Sequence, residues 1–354
     1  VLRIGFVGTG IIAWAHALGL RAMIDAGVVD AELVAVHDLD PARASGFAAT
    51  VGATAVPGAT EVLERCDAVW VCTPTAAHAE VVVAAAGLGR AVFCEKPLAP
   101  DLAGATSLAA TVEAAGVPAQ VGLVLRSTPV FRALRRVVAS GELGPPMAAV
   151  FRDDQYFPVQ GLYGSTWRSD VAVAGGGCLI EHSIHDLDIL RFCLGEVTSL
   201  SARTANFAGY DGVEDMATVS LQFASGATAE LVSVWHDILS RPSTRRVEVF
   251  CRHGMAWLDD DHLGPLHVQT SSGADERPCP PADWVTALPL AHDEIGLAVR
   301  MYCEADRAFV EAVTGGRPPA PGFGEAVIAH RLVDAAYRSA GAGGAPSSVP
   351  STVD

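Results

Sequence analysis

An apolar run from Leu2 to Val7 leads straight into Gly8-Thr9-Gly10-Ile11-Ile12-Ala13, after which helical periodicity continues to about residue 26. A G-x-G-x-x-A turn between a strand and a helix leaves few folds open. Gly8 permits the tight turn, Gly10 lets backbone approach a pyrophosphate, and Ala13 allows the helix to pack closely on the strand. The anion would rest on the amides at the helix N-terminus. The turn alone is a weak signal. Asp38, at the end of the next strand, strengthens it because its carboxylate would accept both ribose hydroxyls of a dinucleotide. Leu39 follows and the next arginine is Arg43, so a 2′-phosphate would meet negative charge. NAD is expected over NADP.

The same rhythm repeats to about residue 122. Leu2 to Val7, Glu32 to His37, Ala68 to Cys72, Ala91 to Cys94 and Ala119 to Val121 read as strands; 11–26, 41–50, 77–88 and 101–115 read as helices. Repeated βα units imply a doubly wound parallel sheet with its crevice at the carboxyl ends of the strands. Beyond residue 123 the pattern changes. Met216 to Phe223 and Ala227 to Trp235 alternate around Ala224-Ser225-Gly226, a hairpin signal, and Arg245 to Cys251 with Met255 to Asp259 read as another. With candidate strands at 147–156 and 197–207, this half reads as a mostly antiparallel sheet. Residues 273–290 read as an irregular loop, and Ala298 to Thr314 and Gly324 to Ala340 as helices. The expected organisation is an α/β chain of two domains, 1–122 and 123–340, with a flexible tail at 341–354.

Composition narrows the partners. The chain has 354 residues, room for two domains of ordinary size, and is half apolar with only 18% charged residues, which excludes a disordered or coiled-coil chain. Its 40 acidic against 24 basic side chains leave a charge of −16, which repels a phosphate backbone, so no nucleic-acid partner is expected. Cys66, Cys72, Cys94, Cys178, Cys193, Cys251, Cys279 and Cys303 form no Cys-x-x-Cys pair, the pattern of reduced thiols in a cytoplasmic protein. Ile4 to Leu20 nears the length of a membrane span, but its glycines and His16 favour strand, turn and helix. It also lacks the flanks of a secretion signal.

Two further segments carry chemistry. Cys94-Glu95-Lys96-Pro97 closes a buried strand, and Gly175-Gly176-Gly177 precedes Glu181-His182-Ser183-Ile184-His185-Asp186-Leu187-Asp188. Alongside the Gly8 turn stand Thr73-Pro74 with His78, Gly141-Glu142-Leu143-Gly144, Trp167-Arg168 and Val333-Asp334-Ala335-Ala336-Tyr337. On these residues the chain resembles the Gfo/Idh/MocA family, nicotinamide-dependent sugar and cyclitol oxidoreductases, over nearly its whole length. The resemblance implies an N-terminal Rossmann domain, then a substrate-binding and oligomerisation domain with an open-faced sheet. It implies hydride transfer between NAD and a secondary alcohol of a sugar, cyclitol or related polyol. An open sheet face leaves apolar surface in water unless a second copy covers it, so a homodimer or homotetramer is expected. Two other readings are an NAD-using glycosidase of the same fold and a non-catalytic regulator that binds nucleotide and sugar.

Residue by residue, the resemblance implies that Lys96 is the catalytic lysine and His185 the histidine that exchanges the hydroxyl proton. Gly8, Thr9, Gly10, Ile11, Ile12, Asp38, Thr73, Pro74, His78, Glu95 and Lys96 fall on the cofactor side. Glu181 stands where many members have Asp, Ser183 where Gly is frequent, and His182 where an apolar residue is common. Physically, alcohol oxidation needs a base for the hydroxyl proton while hydride leaves carbon, and histidine suits this near neutral pH. If the segment after Gly177 is one helix, Glu181, His185 and Asp188 share a face and Glu181 orients the imidazole. Asp188 touches substrate or pairs with Arg191. Trp167 and Arg168 are a candidate substrate wall or a structural pair, and Arg126, Tyr156, His182, His185 and Lys96 complete the candidate substrate contacts. His16 reads as structural, as does His78 on its residues alone. Glu181, His182 and His185 lack a further His or Cys cluster, so no metal is expected.

Overall fold

Phe6, Trp70 and Phe93 stand side by side on three neighbouring parallel strands, and their stack marks the core of the first half of the chain. The computed structural model describes residues 1–241, 243–261, 264–291 and 293–350. Two units divide the chain, Val1–Val124 with Ala282–Val327, and Leu125–Pro281 with Ile328–Asp354.

In the first unit, β1 (Leu2–Val7), β2 (Ala31–His37), β3 (Thr54–Ala55), β4 (Ala68–Val71), β5 (Ala91–Cys94) and β6 (Ala119–Val121) form a parallel sheet in the order β3-β2-β1-β4-β5-β6. Helices α1 (Ile11–Asp25), α2 (Pro41–Val51), α3 (Ala59–Arg65), α4 (His78–Gly87) and α5 (Leu102–Ala115) make the crossovers and cover both faces. That is why β4 and β5 contain no charged side chain. Val7 pairs in register with His37 and with Val71, and Val71 with Cys94, so the residues after these four line one sheet edge. The order reverses between β1 and β4, placing the crevice of a doubly wound sheet there.

The sequence assigns 282–327 to the second domain, whereas it groups with the first unit. The reason lies in α11 (Glu294–Thr314), which follows the short α10 (Asp283–Thr286). Phe309 meets Trp70 and Phe93 edge-on, with centroids 5.1 and 5.6 Å away, and Asp306 accepts from Trp70 Nε1 at 3.0 Å. Such ring pairs each add about 1 kcal/mol beyond burial.

The second unit opens with α6 (Pro129–Ser140), whose Val130, Phe131, Leu134, Val137 and Val138 make one buried stripe. Then come β7 (Pro146–Tyr156), α7 (Val171–Ala174), α8 (Cys178–Glu181), α9 (Ile184–Leu194), β8 (Val197–Ala205), β9 (Met216–Phe223), β10 (Thr228–His236), β11 (Thr244–Cys251), β12 (Gly254–Leu258), β13 (Leu266–Thr270) and β14 (Gly273–Arg277). Among the described residues these strands and β15 (Ser347–Ser348) form a nine-stranded sheet, β14-β13-β12-β11-β7-β10-β9-β8-β15, antiparallel except where β7 meets β10. Part of the expected 273–290 loop is therefore the hairpin strand β14 and the helix α10. Helix α12 (Phe323–Gly341) starts in the first unit and continues in the second. The expected flexible tail contains an ordered strand, β15 (Ser347–Ser348), paired with Leu200 and Ser199; residues 351–354 lie outside the described residues. All eight cysteines are buried and unpaired, and among the described residues no helix is long and apolar enough to cross a membrane.

Candidate active site

The Gly8 turn sits at the carboxyl end of β1. Gly8 has φ +89°, and a Cβ there would lie 2.6 Å from the Cys72 carbonyl carbon, so glycine is required. Gly10 is the opposite case: its Cβ position faces open space, and no side chain caps the first turn of α1. Free amides beside an open glycine fit a pyrophosphate. Ile11 is partly exposed and Ile12 packs inward, with Ala13 fully buried against the sheet. Asp38 Oδ2 accepts from the amide and hydroxyl of Thr9, both at 2.8 Å, and its Oδ1 accepts from the Asp40 amide at 2.9 Å. Burial opposes the Asp38 charge, but those amides and the Thr9 hydroxyl outweigh it and hold the carboxyl below its usual range. The buried Thr73 Oγ1 has no partner among the described residues, and His78 Nε2 lies 3.0 Å from the Thr73 carbonyl, tying the Thr73-Pro74 turn to α4.

Glu95 and Lys96 follow β5 on this same edge. Glu95 is buried, with Oε1 3.0 Å from His16 Nε2; the other ring nitrogen of His16 is 2.7 Å from Asp306 Oδ1. Burial disfavours the imidazolium, yet Asp306 and Glu95 outweigh it and raise His16 to about 10. Lys96 is half-buried. These residues would hold NAD: the turn amides its pyrophosphate, Asp38 its ribose.

In the second unit the segment after Gly177 departs from the single helix expected. Helix α8 ends at Glu181, His182 takes φ −125° and ψ −60°, and α9 starts at Ile184. Glu181 and His185 thus lie on different helices. Glu181 is buried and accepts from Arg168 Nε at 3.0 Å, while the Arg168 guanidinium lies 4.2 Å from the Trp167 ring. His185 is only 7% exposed, in the first turn of α9. Asp188 pairs not with Arg191 but with Arg126, through bonds of 2.7 and 2.6 Å; Arg191 instead forks onto Glu196. Arg126 also lies over Phe192. The Tyr156 hydroxyl accepts from the Leu162 amide, and its ring is 5.5 Å from Tyr163.

Three groups absent from the sequence reading organise this segment. Glu214 accepts from the amides of Gly177 and Leu179 at 2.8 and 2.9 Å and from the Tyr337 hydroxyl at 2.9 Å. Gly177 is the one available signal, since a Cβ there would collide with the Glu214 carbonyl. The other two are Asp153 and Arg245, buried partners across β7 and β11. His182 directs Nδ1 to Asp153 Oδ2 at 2.9 Å and Nε2 to Arg245 Nη2 at 2.7 Å, so both ring nitrogens are engaged inside the protein.

Comparison with known proteins identifies the family. Residues 2–123 match the model of the oxidoreductase family with an NAD-binding Rossmann fold, and residues 131–257 match the GFO/IDH/MocA C-terminal domain. The chain belongs to the Gfo/Idh/MocA oxidoreductase family. It is 30% identical to inositol 2-dehydrogenase of Rhizobium meliloti over 96% of each chain. It is 32% identical to scyllo-inositol 2-dehydrogenase (NAD(+)) of Bacillus subtilis, over 90% of this chain and 88% of that one. The fold is shared with a levoglucosan dehydrogenase solved with NADH and levoglucosan, at TM-score 0.86 and 20% identity, covering 99% and 100% of the two chains.

Proposed function

We propose that this protein transfers a hydride between NAD and a secondary alcohol of a cyclitol, sugar or related polyol, with Lys96 and His185 handling the hydroxyl proton. One observation carries the reading: Lys96 follows β5 on the same sheet edge as the open Gly10 turn and Asp38. Bound NAD supplies the hydride acceptor. Lys96 donates a hydrogen bond to the oxygen that becomes a carbonyl and favours its developing negative charge. His185 accepts the hydroxyl proton at a ring nitrogen. Relatives named as inositol dehydrogenases support cyclitols as the first substrates to try. The eight unpaired thiols support a cytoplasmic setting. Val150 and Val232, exposed on the outward face of β7 and β10, support cover by a second copy in a homodimer or homotetramer.

The test is NAD reduction, followed by absorbance of the reduced cofactor, across inositols, aldoses, amino sugars and sugar acids. Reduction by at least one polyol is expected. NAD binding without reduction by any of them would overturn the reading and favour a binding protein.

A further inference from the structure

The inward face of the large sheet is apolar along most of its length: Ala149 and Phe151 on β7, Ala229 and Leu231 on β10, Val247 and Val249 on β11 are all buried. At one row it turns polar. Ser233, Asp153 and Arg245 are direct cross-strand neighbours on β10, β7 and β11, and each is buried. Three polar groups in register inside a core are costly unless something answers them. The answer is the break between α8 and α9.

His182 reaches Asp153 and Arg245 as described above. Ser183 Oγ donates to Ser233 Oγ at 2.6 Å and stands 3.4 Å from Asp153 Oδ2. Asp186 Oδ1 accepts from Arg245 Nε at 2.7 Å, and Asp261 takes Arg245 Nη1 at 2.7 Å. One guanidinium thus spends its fork on three partners, two of which flank His185 in sequence. The chemistry also fixes the state of His182. A guanidinium only donates, so Nε2 of His182 carries the lone pair, Nδ1 carries the hydrogen, and the ring is neutral.

We propose that Arg245, seated on Asp153, is a positioning residue for His185. It pins His182 and Asp186 on either side and so sets where the imidazole stands. A mere core ion pair would not need to grip both sides of one histidine. Lysine at this position keeps the charge but not the planar fork. The inference rests on the proposed proton role of His185, so its test separates the two.

Arg245→Lys and Arg245→Met are compared with wild type on myo-inositol and scyllo-inositol, with active sites counted by NADH titration. Lysine is the variant that keeps the buried carboxylates neutralised should methionine fail to fold. The expected result is kcat per NADH-binding site lowered by on the order of tenfold to a hundredfold, with KM for NAD unchanged. Unchanged kcat per site, with only a lower melting temperature, would make Arg245 structural and overturn the proposal. A second readout needs no turnover: nitrogen NMR of the wild-type His182 ring. A neutral ring protonated at Nδ1 is expected; an imidazolium or the Nε2-protonated form would overturn the proposal. If wild type reduces NAD with neither inositol nor any other polyol tried, the functional reading fails, and the ring's tautomer decides the clamp by itself.

Discussion

His16 and Asp306 lie 290 positions apart in the chain and share a 2.7 Å hydrogen bond deep in the first unit. With Glu95 on the other ring nitrogen, one imidazolium answers two buried carboxylates. His16→Ala leaves those carboxylates facing each other and is expected to destabilise the protein by about 3–5 kcal/mol, read from urea unfolding at neutral pH. The pH dependence has a definite sign. His16 is raised to about 10 from an ordinary 6.5, so its contribution is whole below about 6.5 and drains away as pH rises through about 10. An identical alkaline limb in wild type and His16→Ala would show that His16 is not the group responsible.

Asp38 serves two masters, since the oxygen that holds Thr9 belongs to the carboxylate expected to meet the ribose. Asp38→Ala therefore loosens the Gly8 turn and weakens both cofactors, so the ratio of affinities is the informative quantity. Wild type should prefer NADH to NADPH by at least about tenfold, and the variant should narrow that gap by relieving repulsion of the 2′-phosphate. Fluorescence titration of both reduced cofactors measures it, and equal wild-type affinities would refute it.

The Arg168–Glu181 pair is buried on the acidic side and half-buried on the basic side. Removing either partner breaks this buried contact, so Glu181→Gln and Arg168→Met should each lower turnover while leaving NAD affinity intact. A double-mutant cycle should give a coupling of about 0.5–3 kcal/mol. Additive effects would mean the pair does not act as a unit.

Lys96→Ala and His185→Ala should each cost about a hundredfold or more in kcat, the usual scale of a positioned acid or base. NAD binding should survive in His185→Ala, because the turn, Asp38 and Lys96 all belong to the other unit. Near wild-type turnover in either folded variant would move the chemistry elsewhere.

Much of the fold was legible because its signals are local. Fully apolar runs such as Ala91 to Cys94 declare a strand buried on both faces, and the alternation in Met216 to Phe223 declares one buried on a single face. Strand β3 was missed because its two residues are both exposed, and β14 because its five are polar or small and none is buried. The site divided in the same way. Gly8, Asp38 and Lys96 sit in motifs, whereas Asp153, Glu214 and Arg245 are single charged residues in strands or loops, with meaning only across the sheet. The helix break at His182 was hidden because Glu181 to Asp188 keeps helical spacing, while the pull of Asp153 and Arg245 comes from remote sequence.

The placement of α11 gives the growing chain a timetable. The aromatic stack of Phe6, Trp70 and Phe93 is complete once β5 has formed, but Phe309 and Asp306 are still unmade. At a translation rate of about 5–20 residues per second, the 290 positions between His16 and Asp306 amount to a delay of about 15–60 s. During that interval Leu125–Pro281 of the second unit is synthesised. The first unit is thus begun first yet still incomplete when most of the second has been made, and its half-covered sheet must stay unaggregated in the meantime.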